Sequence, residues 1–240
     1  MNREEIEQRL KRNAIPHHAD LAEKLDIYLR LLQEWNARMD LTATLEEDEM
    51  ADRHFIDSLA VLRTDRFFAG ASLIDVGTGA GFPGMVLAMA RPDLSVTLTD
   101  AQQKRLNFLE VVRDAADVRN TVLLHARAED AGRDRKYREM FDFAAARAVA
   151  PLNVLCEYLL PFVRVGGCAL CWKGPALKEE EKEGAYAARL LGGRMTKALE
   201  MPGAVYSHVL ARIDKIEETL PQYPRKNGMP AKRPLRDDKK

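Results

Sequence analysis

The chain has 240 residues, of which 46% are hydrophobic and 31% are charged, a composition typical of globular rather than disordered proteins. Its 37 Lys and Arg residues balance its 37 Asp and Glu residues, so any nucleic-acid site must arise from a local concentration of cations. No apolar run approaches the about 20 residues that span a bilayer, and the N-terminus is charged rather than signal-like. Three cysteines cannot form a disulfide framework. These features predict a cytoplasmic protein.

Residues 1–70 predict a helical cap without a strand. A third helix is expected from about Glu46 to Arg63, because acidic residues at its start suit the positive end of the helix dipole. In the second helix, apolar residues recur at the spacing typical of a face packed on a core: Leu21, Leu25, Tyr28, Leu29, Leu32, Trp35 and Met39.

Residues 71–213 alternate short apolar runs with helical patterns, which predicts βαβ units on a parallel sheet. The expected strands are SLIDVG, SVTLTD, TVLLHA, FDFAAAR and CALCWKG, and the expected helices are PGMVLAMAR, QQKRLNFLEVVRDA and PLNVLCEYLLPFV. A last run, AVYSHVLARI, is expected to close the sheet as an antiparallel strand. Residues 214–240 form a Pro-rich, basic tail that is expected to be mobile in isolation.

A glycine-rich loop, LIDVGTGAGFPG, occupies residues 73–84. It leaves the first strand, turns through Gly77, Gly79 and Gly81, and enters a helix near Pro83. Glycines permit positive φ in such a turn and let a ligand approach the backbone closely. Because Gly79, Gly81 and Gly84 also match G-x-G-x-x-G, the loop by itself is compatible with a dinucleotide.

Three details favour S-adenosylmethionine over a nicotinamide or flavin dinucleotide. Asp75, at the end of the strand, is a poor neighbour for a pyrophosphate but suits a cationic sulfonium. Pro83 removes one of the amides that would bind phosphate at the helix N-terminus. No second nucleotide-binding half follows. Phe82, in the same loop, is expected to pack against the cofactor.

Polar residues follow the ends of successive strands, at the edge where open α/β sheets bind their ligands. Asp100 ends the second strand and can accept hydrogen bonds from both ribose hydroxyls in either cofactor class. Ala128 and Glu129 follow the third strand and are expected to meet the adenine edge. Arg147 ends the fourth strand, where its guanidinium suits either a cofactor carboxylate or an RNA phosphate.

Taken together, these motifs resemble one family, the bacterial 16S rRNA guanine-N7 methyltransferase G, also called glucose-inhibited division protein B. The resemblance covers most of the chain in order, although Ala146 stands where the family often has Ser. The matching segments are WNARMDLTA (35–43), RHFIDSLA (53–60), LIDVGTGAGFPG (73–84), DAQQKRLNFL (100–109), RAE (127–129), RAVAPL (147–152), WKG (172–174) and YPRKNGMPAKRPL (223–235).

The resemblance implies a class I, Rossmann-like fold with a mostly parallel seven-stranded sheet, an N-terminal helical cap and S-adenosylmethionine as methyl donor. It implies cofactor contacts at Gly77, Phe82, Ala128, Glu129 and Arg147, to which the strand-end pattern adds Asp75, Gly79 and Asp100.

The implied substrate is the N7 atom of a guanine in 16S rRNA of the small ribosomal subunit. Because N7 carries a lone pair and no proton, the reaction requires alignment rather than a general base. We therefore expect no catalytic base. The candidates for orienting the substrate are Asn36, His54 and Arg147.

His54, Asp57 and Ser58 share one face of the third helix and, with Asn36, are expected to form a polar shelf beside the glycine loop. This shelf either orients the substrate or fixes the cap onto the core. Cys168 and Cys171 lie three apart in a predicted strand, so we expect buried thiols on opposite faces and no metal site.

Cations near the ligand edge and in the tail are expected to contact RNA phosphates, with the tail ordering on binding. They are Lys104, Arg105, Lys173, Arg225, Lys226, Lys232, Arg233 and Arg236. A merely solubilising tail is the alternative. The resemblance implies 16S rRNA or the small ribosomal subunit as the partner; no membrane contact and no metal are expected, and a monomer is favoured.

Other functions remain open from the sequence alone. A methyltransferase acting on another RNA position or on a protein would present the same ligand edge. A non-catalytic RNA-binding factor in ribosome assembly would need no complete cofactor site. A dinucleotide oxidoreductase would use the same glycine pattern.

Overall fold

A computed structural model describes residues 1–43, 46–64, 67–174, 177–196, 198–201 and 208–237. Its helices are α1 (Arg3–Arg12), α2 (Leu21–Met39), α3 (residues 47–63), α4 (Gly84–Ala90), α5 (Gln103–Ala115), α6 (Ala128–Ala131), α7 (Leu152–Leu159), α8 (Leu177–Leu190) and α9 (Met229–Lys232). Its strands are β1 (Ser72–Val76), β2 (Ser95–Asp100), β3 (Thr121–His125), β4 (Phe141–Arg147), β5 (Val163–Lys173), β6 (Gly193–Met195), β7 (Leu199–Glu200) and β8 (Val209–Lys215).

The cap consists of helices whose ends are set by local chemistry. Asn2 and Glu5 form a reciprocal capping box at the start of α1, satisfying two backbone amides that the helix leaves free. Helix α2 ends where Asp40 adopts a left-handed conformation with φ of 48°. The apolar stripe of α2 is buried from Leu21 through Leu32, as its spacing predicts.

Helix α3 is not the single α-helix that the sequence predicts. It begins with an α-helical turn (Glu47–Met50), widens into a π-helical stretch (Ala51–Ile56), returns to an α-helical turn (Asp57–Leu59) and ends as a 3₁₀ helix (Ala60–Arg63). A π stretch adds a residue to the turn and thereby changes which side chains share a face. His54 lies within this stretch.

The strand order in the sheet is β3-β2-β1-β4-β5-β8-β6, with β7 also paired to β8. Strands β1 to β5 are parallel, and β8 runs antiparallel to β5. Because β5 occupies one side of β8, the two short strands β6 and β7 share its other side. Eight strands thus fill seven positions, which confirms the expected mostly parallel seven-stranded sheet.

The final apolar run does not close the sheet, because β6 and β7 lie beyond β8. The strand is antiparallel, as expected, but begins at Val209; residues 204–207 of the predicted run lie outside the described residues.

Helix α8 carries a weak sequence signal because its contacts use small residues. A Cβ added at Gly184 would lie 2.4 Å from Cδ2 of Leu152, so the glycine permits close packing against α7.

Each face of the sheet is covered by helices. One cluster joins the cap and helices α4 and α5 to a face that includes Leu73 and Cys168. The other joins α7 and α8 to a face that includes Ile74 and Cys171. The two thiols therefore lie on opposite faces, as predicted, and burial raises the pKa of Cys171 to about 12. None of the helices in the described ranges is long and apolar enough to span a bilayer.

Candidate cofactor cavity at the carboxyl edge of the sheet

A cavity of about 650 Å³ opens at the carboxyl ends of the parallel strands, between the glycine loop and the cap. Its size is typical of a small-molecule site. Seven of the eight predicted cofactor residues line it: Gly77, Gly79, Phe82, Asp100, Ala128, Glu129 and Arg147. Residues that the sequence did not single out also line it, among them Thr42, Val149 and Tyr158.

The glycine loop forms the floor of the cavity, with φ of 70° at Gly77, 60° at Gly79 and 101° at Gly81. Most of its amides already donate hydrogen bonds within the protein. Those of Gly77 and Thr78 donate to the Thr99 carbonyl at 2.9 and 3.0 Å, and that of Gly79 donates to Oδ2 of Asp100 at 3.0 Å. This loop therefore does not offer the row of free amides that cradles a pyrophosphate, which argues against the dinucleotide reading.

Asp75 lies beneath the floor rather than in the cavity wall, so the prediction that it contacts the cofactor is wrong. Its side chain is 0% exposed. Oδ2 accepts hydrogen bonds from Oγ1 of Thr78 at 2.6 Å and from the amide of Gly84 at 2.9 Å, which ties both ends of the loop to β1. Burial raises the pKa of Asp75 to about 6, against the opposing effect of these hydrogen bonds.

Two carboxylates form part of the cavity wall. Asp100 receives the amide of Gln102 on Oδ1 at 2.8 Å and the Gly79 amide on Oδ2, while Arg105 approaches Oδ2 at 3.3 Å. Glu129 accepts the amide of Gly228 on Oε1 at 2.8 Å. Each carboxylate oxygen has two lone pairs, so both groups retain acceptor capacity toward a ligand.

The roof of the cavity is organised around Arg147, whose guanidinium lies 4.9 Å from the centre of the Phe82 ring. One terminal nitrogen donates to the Arg53 carbonyl at 2.9 Å and to Oδ2 of Asp57 at 3.1 Å. The other donates to Nδ1 of His54 at 2.9 Å. Arg147 therefore links the end of β4 to helix α3, while two of its five N–H donors remain for a ligand.

His54 is held as a neutral imidazole. Burial and the charges of Arg147 and Arg53 lower its pKa from 6.5 to about 3. Since Nδ1 accepts from Arg147, the remaining ring proton lies on Nε2, which donates to Oγ1 of Thr42 at 2.8 Å. The ring also stacks on Phe82 at 4.6 Å between centroids.

Asp57 connects the roof to β5 and β8. Its buried carboxylate accepts from Arg147 and, through Oδ1, from Nδ1 of His208 at 2.8 Å, while its carbonyl accepts from the indole of Trp172 at 3.2 Å. The predicted polar shelf thus exists in part. Ser58 is buried with its hydroxyl unpaired. His208 was missed, because nothing in the sequence links it to a residue 151 positions earlier.

Asn36 supports the shelf indirectly. Its side chain exchanges two hydrogen bonds with the backbone of Thr42, at 2.9 and 2.8 Å, and Thr42 in turn receives the His54 proton. Asn36 is buried and is not among the residues that line the cavity. It therefore fixes the segment after α2 rather than facing the cavity.

The cations predicted to bind RNA fall into two groups. Lys173 pairs with Glu180 at 2.7 Å and donates to the Ala150 carbonyl at 3.2 Å, and its side chain is only 11% exposed. Its predicted contact with phosphate is therefore wrong, because burial and pairing occupy its ammonium. The cations with exposed side chains are Lys104, Lys226, Lys232, Arg233 and Arg236, and Arg105 is half-buried beside Asp100.

The tail is docked on the core, contrary to the expectation of mobility. The backbone amide and guanidinium of Arg225 bind the fully buried carboxylate of Glu157, with Nη2 at 2.6 Å from Oε2. Arg225 is thus structural and not a free phosphate ligand. A buried carboxylate requires such a partner, since leaving it unpaired costs several kilocalories per mole.

Solved structures with this fold include methyltransferases of low sequence identity. The 16S rRNA (adenine(1408)-N(1))-methyltransferase of Catenulisporales acidiphilia, a mutant crystallised with cosubstrate SAM, is 17% identical with a TM-score of 0.52, covering 63% of this chain and 88% of that one. A SAM dependent methyltransferase from Aquifex aeolicus is 20% identical with a TM-score of 0.52, covering 69% and 92%. The fold is that of the class I S-adenosylmethionine-dependent methyltransferases, as expected.

The particular family follows from closer relatives. The family described as "GidB: rRNA small subunit methyltransferase G" matches residues 21–205. Proteins named ribosomal RNA small subunit methyltransferase G are 44% identical in Alkaliphilus metalliredigens and 43% identical in Clostridium beijerinckii, over 89% of this chain and 90% of each relative. The chain belongs to the rRNA small subunit methyltransferase G family, and the predicted family, enzyme class and cofactor are confirmed.

Proposed function

We propose that the protein transfers a methyl group from S-adenosylmethionine to N7 of a guanine in 16S rRNA of the small ribosomal subunit. The observation that carries the proposal is the family match over residues 21–205. The cavity supports it, because its floor lacks a phosphate cradle while its walls present carboxylates and a stacked aromatic ring. The complete set of wall residues also favours an enzyme over a non-catalytic assembly factor.

The residues that fit the cofactor lie on the floor and walls. Gly77 and Gly79 let the ligand approach the backbone, and the Asp100 carboxylate, which lines the cavity, suits ribose hydroxyls as hydrogen-bond donors. Ala128 and Glu129 suit the adenine edge. Phe82 packs against Tyr28 and His54, so a ligand meets a ring that is already fixed. The remaining donors of Arg147 suit a carboxylate.

The chemistry needs orientation more than proton transfer. When bound, S-adenosylmethionine supplies an electrophilic methyl group, which the N7 lone pair of guanine accepts without prior loss of a proton. The protein has to hold the base in line and keep water out. A neutral His54 fits this task, because both ring nitrogens are already engaged and the imidazole is not available as a base.

The cap, core and tail are proposed to divide the work. Residues 1–70 cover the cavity, residues 71–213 hold the cofactor, and residues 214–240 carry exposed cations toward the RNA. We propose phosphate contacts for Lys104, Arg105, Lys226, Lys232, Arg233 and Arg236, in a cytoplasmic and monomeric enzyme. This assignment omits Lys173 and Arg225, whose charges are paired in the core.

The RNA assignment is tested by salt dependence. Replacing Lys226, Lys232, Arg233 and Arg236 with Gln should reduce the slope of log affinity against log salt for a 16S rRNA fragment, by about 0.7–0.9 per lost phosphate contact. Arg225→Gln should instead lower the stability of the fold, because the buried Glu157 carboxylate loses its cationic partner. An unchanged slope in the fourfold variant would exclude the tail as an RNA surface.

The methyl transfer itself is tested by nucleoside mass spectrometry of 16S rRNA from a strain that lacks the gene. The intact protein should restore one N7-methylguanine, and Gly77→Asp should not. A Cβ at Gly77 would lie 3.0 Å from Cγ2 of Val149, at a φ of 70°. Gly70→Asp is the matched control, because Gly70 has a similar φ of 77° but open space around it.

The outcomes separate the alternatives. If the strain that lacks the gene loses a methyl group at another RNA position or on a protein, the protein is a methyltransferase with a different substrate. Unchanged methylation together with absent binding of S-adenosylmethionine in calorimetry would support the non-catalytic factor instead.

A further inference from the structure

The docked tail forms a hydrogen bond with a residue of the cavity wall. The amide of Gly228 donates to Oε1 of Glu129 at 2.8 Å, and the side chain of Asn227 donates to Oδ2 of the neighbouring Asp130 at 2.8 Å. Gly228 adopts a φ of 76°, which turns its amide toward Glu129 at the point where α9 begins. Two consecutive tail residues thus hold Glu129 of the cavity wall and the adjacent Asp130.

The segment that makes these contacts is anchored just before them. Arg225 binds the buried Glu157 through its amide and its guanidinium, and Nε of Arg133 donates to the Pro224 carbonyl at 2.7 Å. Because the anchor lies two residues before Asn227, the tail cannot shift along the surface without breaking a buried ion pair. The position of Asn227 and Gly228 is therefore fixed by the core.

The side chain of Glu129 is buried, and a single hydrogen bond directs its carboxylate in the described structure. Helix α6 is a single turn, Ala128–Ala131, and no further hydrogen bond from a described residue to the Glu129 carboxylate accompanies that of Gly228. A carboxylate side chain has several rotatable bonds, and fixing it before the ligand arrives reduces the entropy that binding must supply. The tail thus supplies the hydrogen bond that directs this buried carboxylate in the described structure.

We propose that Asn227 and Gly228 are positioning residues for the cofactor, which act by holding Glu129 and the turn of α6 in the cavity wall. This inference rests on the proposed function of the cavity as the S-adenosylmethionine site. Lys226 and Lys232, exposed on either side of the contact, are in the segment that RNA engages under the same proposal.

The test is calorimetric titration of the full-length protein with S-adenosylmethionine. Asn227→Asp removes the donor and places a carboxylate against Asp130, so we expect cofactor affinity to fall about fivefold. The KM for S-adenosylmethionine should rise, whereas kcat at saturating cofactor should stay near that of the wild type. Gln222→Glu is the matched control, because it adds the same charge at an exposed tail position.

A reciprocal exchange distinguishes positioning from a general loss of structure. Combining Asn227→Asp with Asp130→Asn restores a donor and an acceptor in exchanged positions, and should recover most of the affinity. Equal losses in the single and the double variant would overturn the proposal, as would wild-type affinity in Asn227→Asp. Melting temperatures measured in parallel should differ little among these variants.

A separate variant tests whether Glu129 contacts S-adenosylmethionine in the cavity. Glu129→Gln should weaken S-adenosylmethionine binding if Glu129 faces the cofactor. Wild-type affinity in Glu129→Gln would remove the proposed role of Glu129 and with it this inference. Weakened binding in Glu129→Gln together with wild-type affinity in Asn227→Asp would leave the cofactor site standing and overturn the role of the tail.

Discussion

The floor and the roof of the cavity are built in different ways. The floor comprises the glycine loop and its anchor Asp75, and nearly all its hydrogen bonds join residues 75–84 to one another or to the end of β2. The roof is a chain of side chains from α3, from β4 and from His208, which precedes β8, and it is centred on Arg147 and Asp57. The hydrogen bonds of the floor mostly involve backbone groups of one loop and the adjacent strand. The contacts of the roof join charged side chains that lie far apart in the sequence.

This difference determines how each part fails. A floor held by backbone hydrogen bonds and close packing is broken by added volume, since its atoms have no room to move. A roof held by paired charges is broken by removing one partner, since the other stays buried without compensation.

Asp57→Ala should be the most damaging change, lowering the free energy of unfolding by about 3–5 kcal/mol, because Arg147 and His208 lose their shared carboxylate. Urea denaturation at pH 7 measures this. Asp114→Ala, which removes an exposed partner of Arg113, should cost at most about 1 kcal/mol. Similar losses in the two variants would show that the roof is not a buried charge network.

His54 should make the roof sensitive to acid. Its folded pKa of about 3 lies below the ordinary 6.5, so between these values the unfolded chain takes up a proton that the folded protein refuses. Stability should fall as the pH drops below 6.5, by up to about 1.4 kcal/mol per pH unit. His54→Gln should lose this component. Parallel profiles for the two proteins between pH 7 and 4 would contradict the burial of a neutral imidazole.

Asp75 should make the floor respond in the opposite direction. The pKa of Asp75 in the folded protein, about 6, lies above its ordinary value of 3.8. Between these two pH values the folded protein binds a proton that the unfolded chain does not. Its contribution to stability should grow with acidification and be lost as the pH rises through 6. The stability of the wild type relative to Asp75→Asn should therefore increase from pH 7 to pH 4. A decrease would reverse the assigned sign.

Gly84→Ala tests the packing of the floor. The added Cβ would lie 2.5 Å from Cδ2 of Leu98 and 2.6 Å from Cβ of Asp75, so we expect a loss of about 1–3 kcal/mol in unfolding free energy. Gly174→Ala is the control, because a Cβ there meets nothing within 4 Å. Equal stabilities for the two variants would mean that the loop can relax without cost.

The sequence predicts the floor well and the roof only in part, for the same reason. Turn glycines, a helix start and strand-end residues are local signals, so the placement of Gly77, Gly79 and Asp100 follows from spacing. The direction of the Asp75 side chain does not, because period-two alternation leaves open which face of the strand it joins. His208 reaches Asp57 only through the tertiary fold.

The tail was misjudged on composition, although a signal for its docking was present. Glu157 is a lone carboxylate inside the apolar stretch PLNVLCEYLLPFV, and a carboxylate so placed requires a cationic partner. Basic and Pro-rich composition is typical of mobile segments, but it does not indicate whether one of the cations forms an ion pair with a buried carboxylate of the core. Arg225 is that cation.

The hydrophobic cluster shared by the cap and the sheet has a consequence for biosynthesis. It joins Ile6 and Leu25, near the start of the chain, to Leu170 and Leu210 near its end. The stripe of α2 packs against α1, α4 and α5, so it is translated before two of the three helices that cover it. Until α5 has left the ribosome, the nascent chain carries an uncovered apolar stripe, the kind of surface that chaperones bind.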